Sequence, residues 1–131
     1  MQLFIQSKRK KEVVDITDAV DEALGKSNIS AGVCVLFLKH TSAALTTADL
    51  DPGTDLDYLD AFEAIVPKLH YRHPHDPSHV GDHIMSAMIG NSLTIPIQKG
   101  QLDLGTWQRV IMVEFSGPRE REVTITVLQS T

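Results

Sequence analysis

The chain closes on a run in which apolar and polar residues alternate. Val123, Ile125 and Val127 share one parity, and Glu122, Thr124 and Thr126 the other. Period two predicts a strand with one buried face. Ala31 to Lys39 shows a second pattern, the unbroken apolar stretch GVCVLFL behind a glycine. Its short length and its valines predict a strand buried on both faces. In WQRVIMVEF, Trp107 to Phe115, both alternating sets are largely apolar, so this strand too should be covered on both sides. A chain with few helices has little to cover it with, which predicts burial by neighbouring subunits in a homo-oligomer. LFIQ near the start, LTIPIQ, and LDL after a Lys-Gly turn complete the expected strands. SGPR, between two strand patterns, predicts a hairpin.

Three segments follow helical spacing instead. Thr17 to Leu24 predicts a short helix closed by Gly25, with Asp18 and Asp21 forming a variant of the N-terminal capping box. PGTDLDYLDAFEAIVPK repeats Leu56, Leu59, Phe62 and Val66 at helical intervals, entered by the Asp51-Pro52-Gly53 turn and closed by Pro67. A third helix is expected after Asp76-Pro77, where the aspartate caps and the proline opens the first turn, running to Gly90. Strands and helices in mixed order predict an α+β fold. With no repeat and no Pro/Gly/Ser-rich linker, residues 1–131 are expected to form one domain.

Charge narrows the function classes. The net charge of −5 argues against a nucleic-acid partner, and the one dense basic run, Lys8 to Lys11, reads as a solvated turn. No apolar stretch approaches the roughly 20 residues of a membrane span. The N-terminus has its charges after its apolar residues, the reverse of a secretory signal. Cys34 is the sole cysteine, so no internal disulfide forms, and a cytoplasmic, reducing setting is expected.

Candidate chemistry concentrates in the six histidines, five of them between Leu69 and His83. His79 and His83 have the spacing of two residues on one helix face, but Val80 stands where a zincin would carry glutamate. His70, His73 and His75 fall in a loop broken by Pro74, where exposed imidazoles cost nothing. His40 ends a buried strand, so a rigid element delivers it to a rim. Asp49 and Asp51 follow and suit turn formation as well as chemistry. Glu114 lies within an apolar strand, where a carboxylate must be paired, hydrogen-bonded or bound to a cation. Arg119 and Arg72 could grip phosphate through their planar forks.

Several longer stretches bear a family resemblance. SLTIPIQKGQLDLGTWQRV, with KHTSAALT, YRH, the histidine of HIMSAMIGNSLTIP, and VEFSGPRERE, resembles the YjbQ-like family, also called secondary thiamine-phosphate synthase enzymes. The resemblance spans nearly the whole chain. It implies an α+β fold with two β-layers and helices, a homotrimer, and a histidine-lined pocket that holds a divalent metal. His40, His83 and His73 match family histidines and become the expected ligands; a set this rich in imidazole suits zinc. Glu114 matches the family's glutamate before F-x-G-P-R, and Asp49 stands where many relatives carry the glutamate of an N-E pair, here Ala48-Asp49. These two are the catalytic candidates. Arg119 and Lys39, with Thr41 and Ser42, are the candidates for holding a phosphorylated substrate. The implied activity joins a pyrimidine pyrophosphate to a thiazole phosphate. The alternatives are a metal-dependent phosphoester hydrolase on the same histidines and a trimeric metal- or ligand-binding protein without catalysis.

Overall fold

A computed structural model describes residues 1–74 and 76–130; His75, read above as an exposed loop imidazole, lies outside the described residues. The elements run β1 (Gln2–Gln6), β2 (Glu12–Asp15), α1 (Thr17–Gly25), β3 (Gly32–Leu38), β4 (Ala43–Ala48), α2 (Thr54–Ile65), a 3₁₀ turn (Pro77–His79), α3 (Val80–Ile89), β5 (Ser92–Gln98), β6 (Gln101–Leu102), β7 (Arg109–Glu114) and β8 (Glu120–Gln129). The strands form two antiparallel sheets, one ordered β1-β8-β3-β5-β6 and the other β2-β7-β4. The fold is α+β, as the mixed order of patterns predicts. Among the described residues no helix is long and apolar enough to cross a membrane.

Alternation accounts for the layering. Cys34, Leu36 and Leu38 of β3 and Val123 and Ile125 of β8 point inward. They meet Ala43 and Leu45 of β4 and Val110 and Met112 of β7, with Val20 and Leu24 of α1 joining the same core. The other parity of the smaller sheet, Ala44, Ile111 and Val113, packs against Met85 of α3 and Leu59 and Phe62 of α2. The strand β7 is therefore buried on both faces by its own chain. The premise that neighbouring subunits must cover it does not hold, because a sheet lies on one side of it and two helices on the other.

Three local expectations change. SGPR does not close a hairpin: β7 and β8 belong to different sheets, and the segment carries the chain from one layer to the other. That crossing needs a glycine, since a Cβ on Gly117 would lie 2.2 Å from the Arg9 carbonyl oxygen and 2.7 Å from Ser7 Oγ. Asp18 does not cap α1, whose N-cap position is Ile16; just before it, Asp15 Oδ1 accepts from the Thr17 backbone N–H at 3.0 Å and from the Thr17 hydroxyl at 2.7 Å. Asp76 does cap, accepting from the Ser78 N–H at 3.0 Å, but the first turn it opens is 3₁₀, and α3 starts only at Val80. The strands β2 and β4 had no counterpart among the expected elements. Both are short and weakly apolar, and each is held by pairing with β7.

Candidate functional site

Beneath the crossing lies a buried ion pair. Glu114 ends β7 and is 0% exposed, and Arg121, near the start of β8, is 2% exposed. Arg121 Nε donates to Glu114 Oε1 at 2.9 Å, and its Nη2 donates to Oε2. The carboxylate also accepts from Ser7 Oγ at 2.7 Å and from the Ser116 N–H at 3.1 Å. Burial alone would raise the Glu114 pKa, but these donors outweigh it and hold the carboxyl below its usual value. A carboxylate so fully engaged is a poor base and an unavailable ligand. Glu114 is therefore the floor of the site rather than a group that reacts in it.

The same guanidinium sets the next loop. Arg121 Nη2 donates to the Ser42 carbonyl oxygen at 3.1 Å and to its hydroxyl at 2.9 Å, which fixes the chain immediately after His40 and Thr41. Above this floor lies a cleft of about 380 Å³. Lys39, His40, Thr41, Ser42, Ser116 and Arg119 line one side of it, and His73, Asp76, His79, Asp82 and His83 the other. Arg119 is exposed; its Nε donates to the Ser116 carbonyl at 2.8 Å, and among the described residues no carboxylate pairs with it. The Lys39 ammonium is drawn aside to Glu122, 3.6 Å away.

Each expected site residue can now be located. His40, Thr41, Ser42, Lys39, Arg119, His73 and His83 share the cleft, with Glu114 below it. Asp49 does not join them. It follows β4 at the end away from Ser42, roughly 20 Å along the strand at about 3.3 Å per residue, and is exposed. Arg121, Ser7 and Asp82 were missed, and His79, expected only as a helical partner of His83, joins them. The His79 ring lies between two carboxylates, Nε2 3.1 Å from Asp76 and Nδ1 3.4 Å from Asp82, so it does not pair with His83 as helical ligands would. Asp82 also lies 3.5 Å from Lys11, which ties the basic turn to the cleft wall.

The hydrogen bonds of the histidines limit what the expected zinc could find. His83 Nδ1 lies 2.8 Å from the Thr41 carbonyl, which only accepts, so Nδ1 carries the proton and Nε2 the lone pair. That is a ligand-competent tautomer. The His73 and His83 rings lie with centroids 5.2 Å apart and planes at 17°. His40 Nε2 already accepts the Glu122 N–H at 2.9 Å. Burial, and next the nearby Arg121, lower the His40 pKa below its usual 6.5 against the opposing effect of Glu114 and Glu122, in keeping with the unprotonated Nε2 that the Glu122 N–H requires. Among the described residues no three His, Cys, Asp or Glu groups gather to hold a metal. As arranged, the three histidines do not fit a three-ligand zinc site.

Two stacked sheets flanked by helices, with an arginine- and histidine-lined cleft at the crossing between layers, define a single-domain α+β protein. The model of the family described as UPF0047 protein YjbQ-like matches residues 1–130, and the chain belongs to that family. A UPF0047 protein of Archaeoglobus fulgidus is 33% identical over 98% of this chain and 100% of its own length. The UPF0047 protein YugU of Bacillus subtilis is 32% identical, with 96% of each chain covered. Among solved structures, an uncharacterized YjbQ/UPF0047 protein of Clostridium acetobutylicum is 34% identical with a TM-score of 0.88, covering 98% of this chain and 99% of its own. A hypothetical protein of Aeropyrum pernix K1 is 30% identical with a TM-score of 0.91, covering 99% and 98%.

Proposed function

We propose that the cleft binds a phosphorylated small molecule. The observation that carries this reading is Arg119. Its guanidinium is exposed at the cleft, steadied by Ser116 and without a carboxylate partner among the described residues, beside His40, Thr41 and Ser42. A planar, charged fork next to hydroxyl and imidazole groups matches phosphoryl oxygens. The Glu114–Arg121 floor supports the match, because it holds the Ser42 loop in place before any ligand arrives.

Within that reading, the reaction proposed is the joining of a pyrimidine pyrophosphate to a thiazole phosphate. Both partners carry phosphoryl groups, and the departing pyrophosphate gathers negative charge that Arg119 and neighbouring donors would stabilise. A second reading, a ligand-binding protein without catalysis, is favoured by Glu114, whose engaged carboxylate leaves no strong base on the floor. A metal-dependent phosphoester hydrolase on the same histidines has less support, since among the described residues no three His, Cys, Asp or Glu groups gather to hold a metal. The proposed homotrimer has a candidate surface in the outer face of the larger sheet, where Phe4, Phe37 and Leu128 are 55%, 45% and 58% exposed.

Calorimetric titration with inorganic phosphate and pyrophosphate tests binding, and incubation with both proposed substrates, with and without divalent metals, tests the reaction. Pyrophosphate binding with formation of thiamine phosphate supports both. Binding with no product under any metal leaves the non-catalytic reading, and absence of binding to either anion sinks the proposal.

A further inference from the structure

The position of His40 carries a consequence for its role. The ring sits where the ladder between β3 and β8 ends: Leu38 is in register with Val123, and the Lys39 N–H donates to the Glu122 carbonyl at 3.2 Å. His40 supplies the next partner, its Nε2 accepting the Glu122 N–H at 2.9 Å. A backbone N–H can only donate, so Nε2 must keep its lone pair, and a neutral imidazole then has its proton on Nδ1. No described residue is hydrogen-bonded to that Nδ1. Neither nitrogen is thereby available to a metal. Coordination through Nε2 would strip the Glu122 amide of its acceptor, and coordination through Nδ1 would require a doubly deprotonated imidazolate.

We propose that His40 is a fixed-tautomer hydrogen-bond donor, offering Nδ1–H to an oxygen of the bound anion beside Arg119, and is not a metal ligand. The anion's identity as phosphoryl rests on the function proposed above; the tautomer does not. A metal entering the cleft would find its open imidazole nitrogen at His83 Nε2, the atom left bare by the Thr41 contact.

Long-range proton–nitrogen correlation spectra of protein labelled with ¹⁵N-histidine read both nitrogens of His40 directly. At pH 7.5, without ligand, Nε2 should be unprotonated and Nδ1 protonated. Adding zinc should leave that pattern in place, whereas inorganic pyrophosphate should shift the Nδ1 proton. His40→Gln, whose amide can accept from Glu122, should keep zinc affinity within about twofold, and His40→Ala should weaken pyrophosphate about tenfold, the worth of one hydrogen bond to a charged group. Should the alanine variant fail to fold, the wild-type spectrum and the glutamine variant still decide the matter. An Nε2–H tautomer, a zinc-induced displacement at either His40 nitrogen, or a tenfold loss of zinc in His40→Gln would overturn the proposal. If pyrophosphate fails to bind the wild type, the oxyanion role falls with the phosphate reading, and the spectrum alone then decides whether His40 is a ligand.

Discussion

The floor and the rim of the cleft are built on opposite terms. Glu114 and Arg121 are almost wholly buried, sit on strands, and satisfy each other along with Ser7, Ser42 and Ser116. The opposite wall comes from the segment after α2 and the first turns of α3, where His79 is 42% exposed in its side chain and His70 and Arg72 face solvent. The contrast separates two roles that charge alone would merge. The Glu114 carboxylate below the cleft fixes geometry and is fully engaged; Arg119, above it, keeps its guanidinium available.

The largest expected effect breaks the floor. Arg121→Met leaves a buried carboxylate without its cation and should cost about 3 to 5 kcal/mol in urea unfolding. Adding Glu114→Gln to it should recover a substantial part. A loss under 1 kcal/mol for the single variant would mean that the pair does not hold the crossing together.

Acid should loosen the floor only at low pH. The Glu114 pKa is lowered in the folded chain, so its stabilisation is complete above the unfolded value near 4.5 and is lost as pH falls through the folded pKa. Thermal midpoints should therefore drop as pH is lowered from 5 towards 3. The slope should be shallower in the Glu114→Gln/Arg121→Met variant, with Asp15, whose pKa is also lowered, contributing to what remains.

Changes above the floor should move binding and spare stability. Arg119→Ala should weaken pyrophosphate about tenfold or more, the loss of a charge-assisted contact, while unfolding shifts by about 0.5 kcal/mol or less. The smallest effect belongs to Asp49→Asn, which lies at the far end of β4 and should leave pyrophosphate affinity within twofold. A large loss there would join that strand end to the site after all.

Much of this was legible in the sequence, for identifiable reasons. β3 and the two longer helices fall close to where their apolar patterns put them, but β3 is buried on one face only, since Cys34, Leu36 and Leu38 are buried whereas Phe37 on the other face is 45% exposed. β4 reads AALTTA, too small and polar to announce a strand, and exists through its pairing with β7. The SGPR segment has the composition of a hairpin turn; its path between layers is set by contacts with residues 7 to 10, more than a hundred positions away. Glu114 announced its need for a partner, but the partner's identity is tertiary. Arg121 shares the parity of Val123 and Ile125, so the closing alternation already turned an arginine inward. The histidine count, by contrast, pointed to a metal, whereas hydrogen bonds to Glu122 and Thr41 decide which ring nitrogens remain open.

The most direct test of the central claim, an anion-binding cleft seated on a prepaired ionic floor, is a backbone amide titration of the wild-type protein with inorganic pyrophosphate. Saturable shifts should cluster at residues 39–42, 116 and 119, with the amides around Asp49 unmoved. Saturable shifts centred elsewhere, or none at all, would contradict the account.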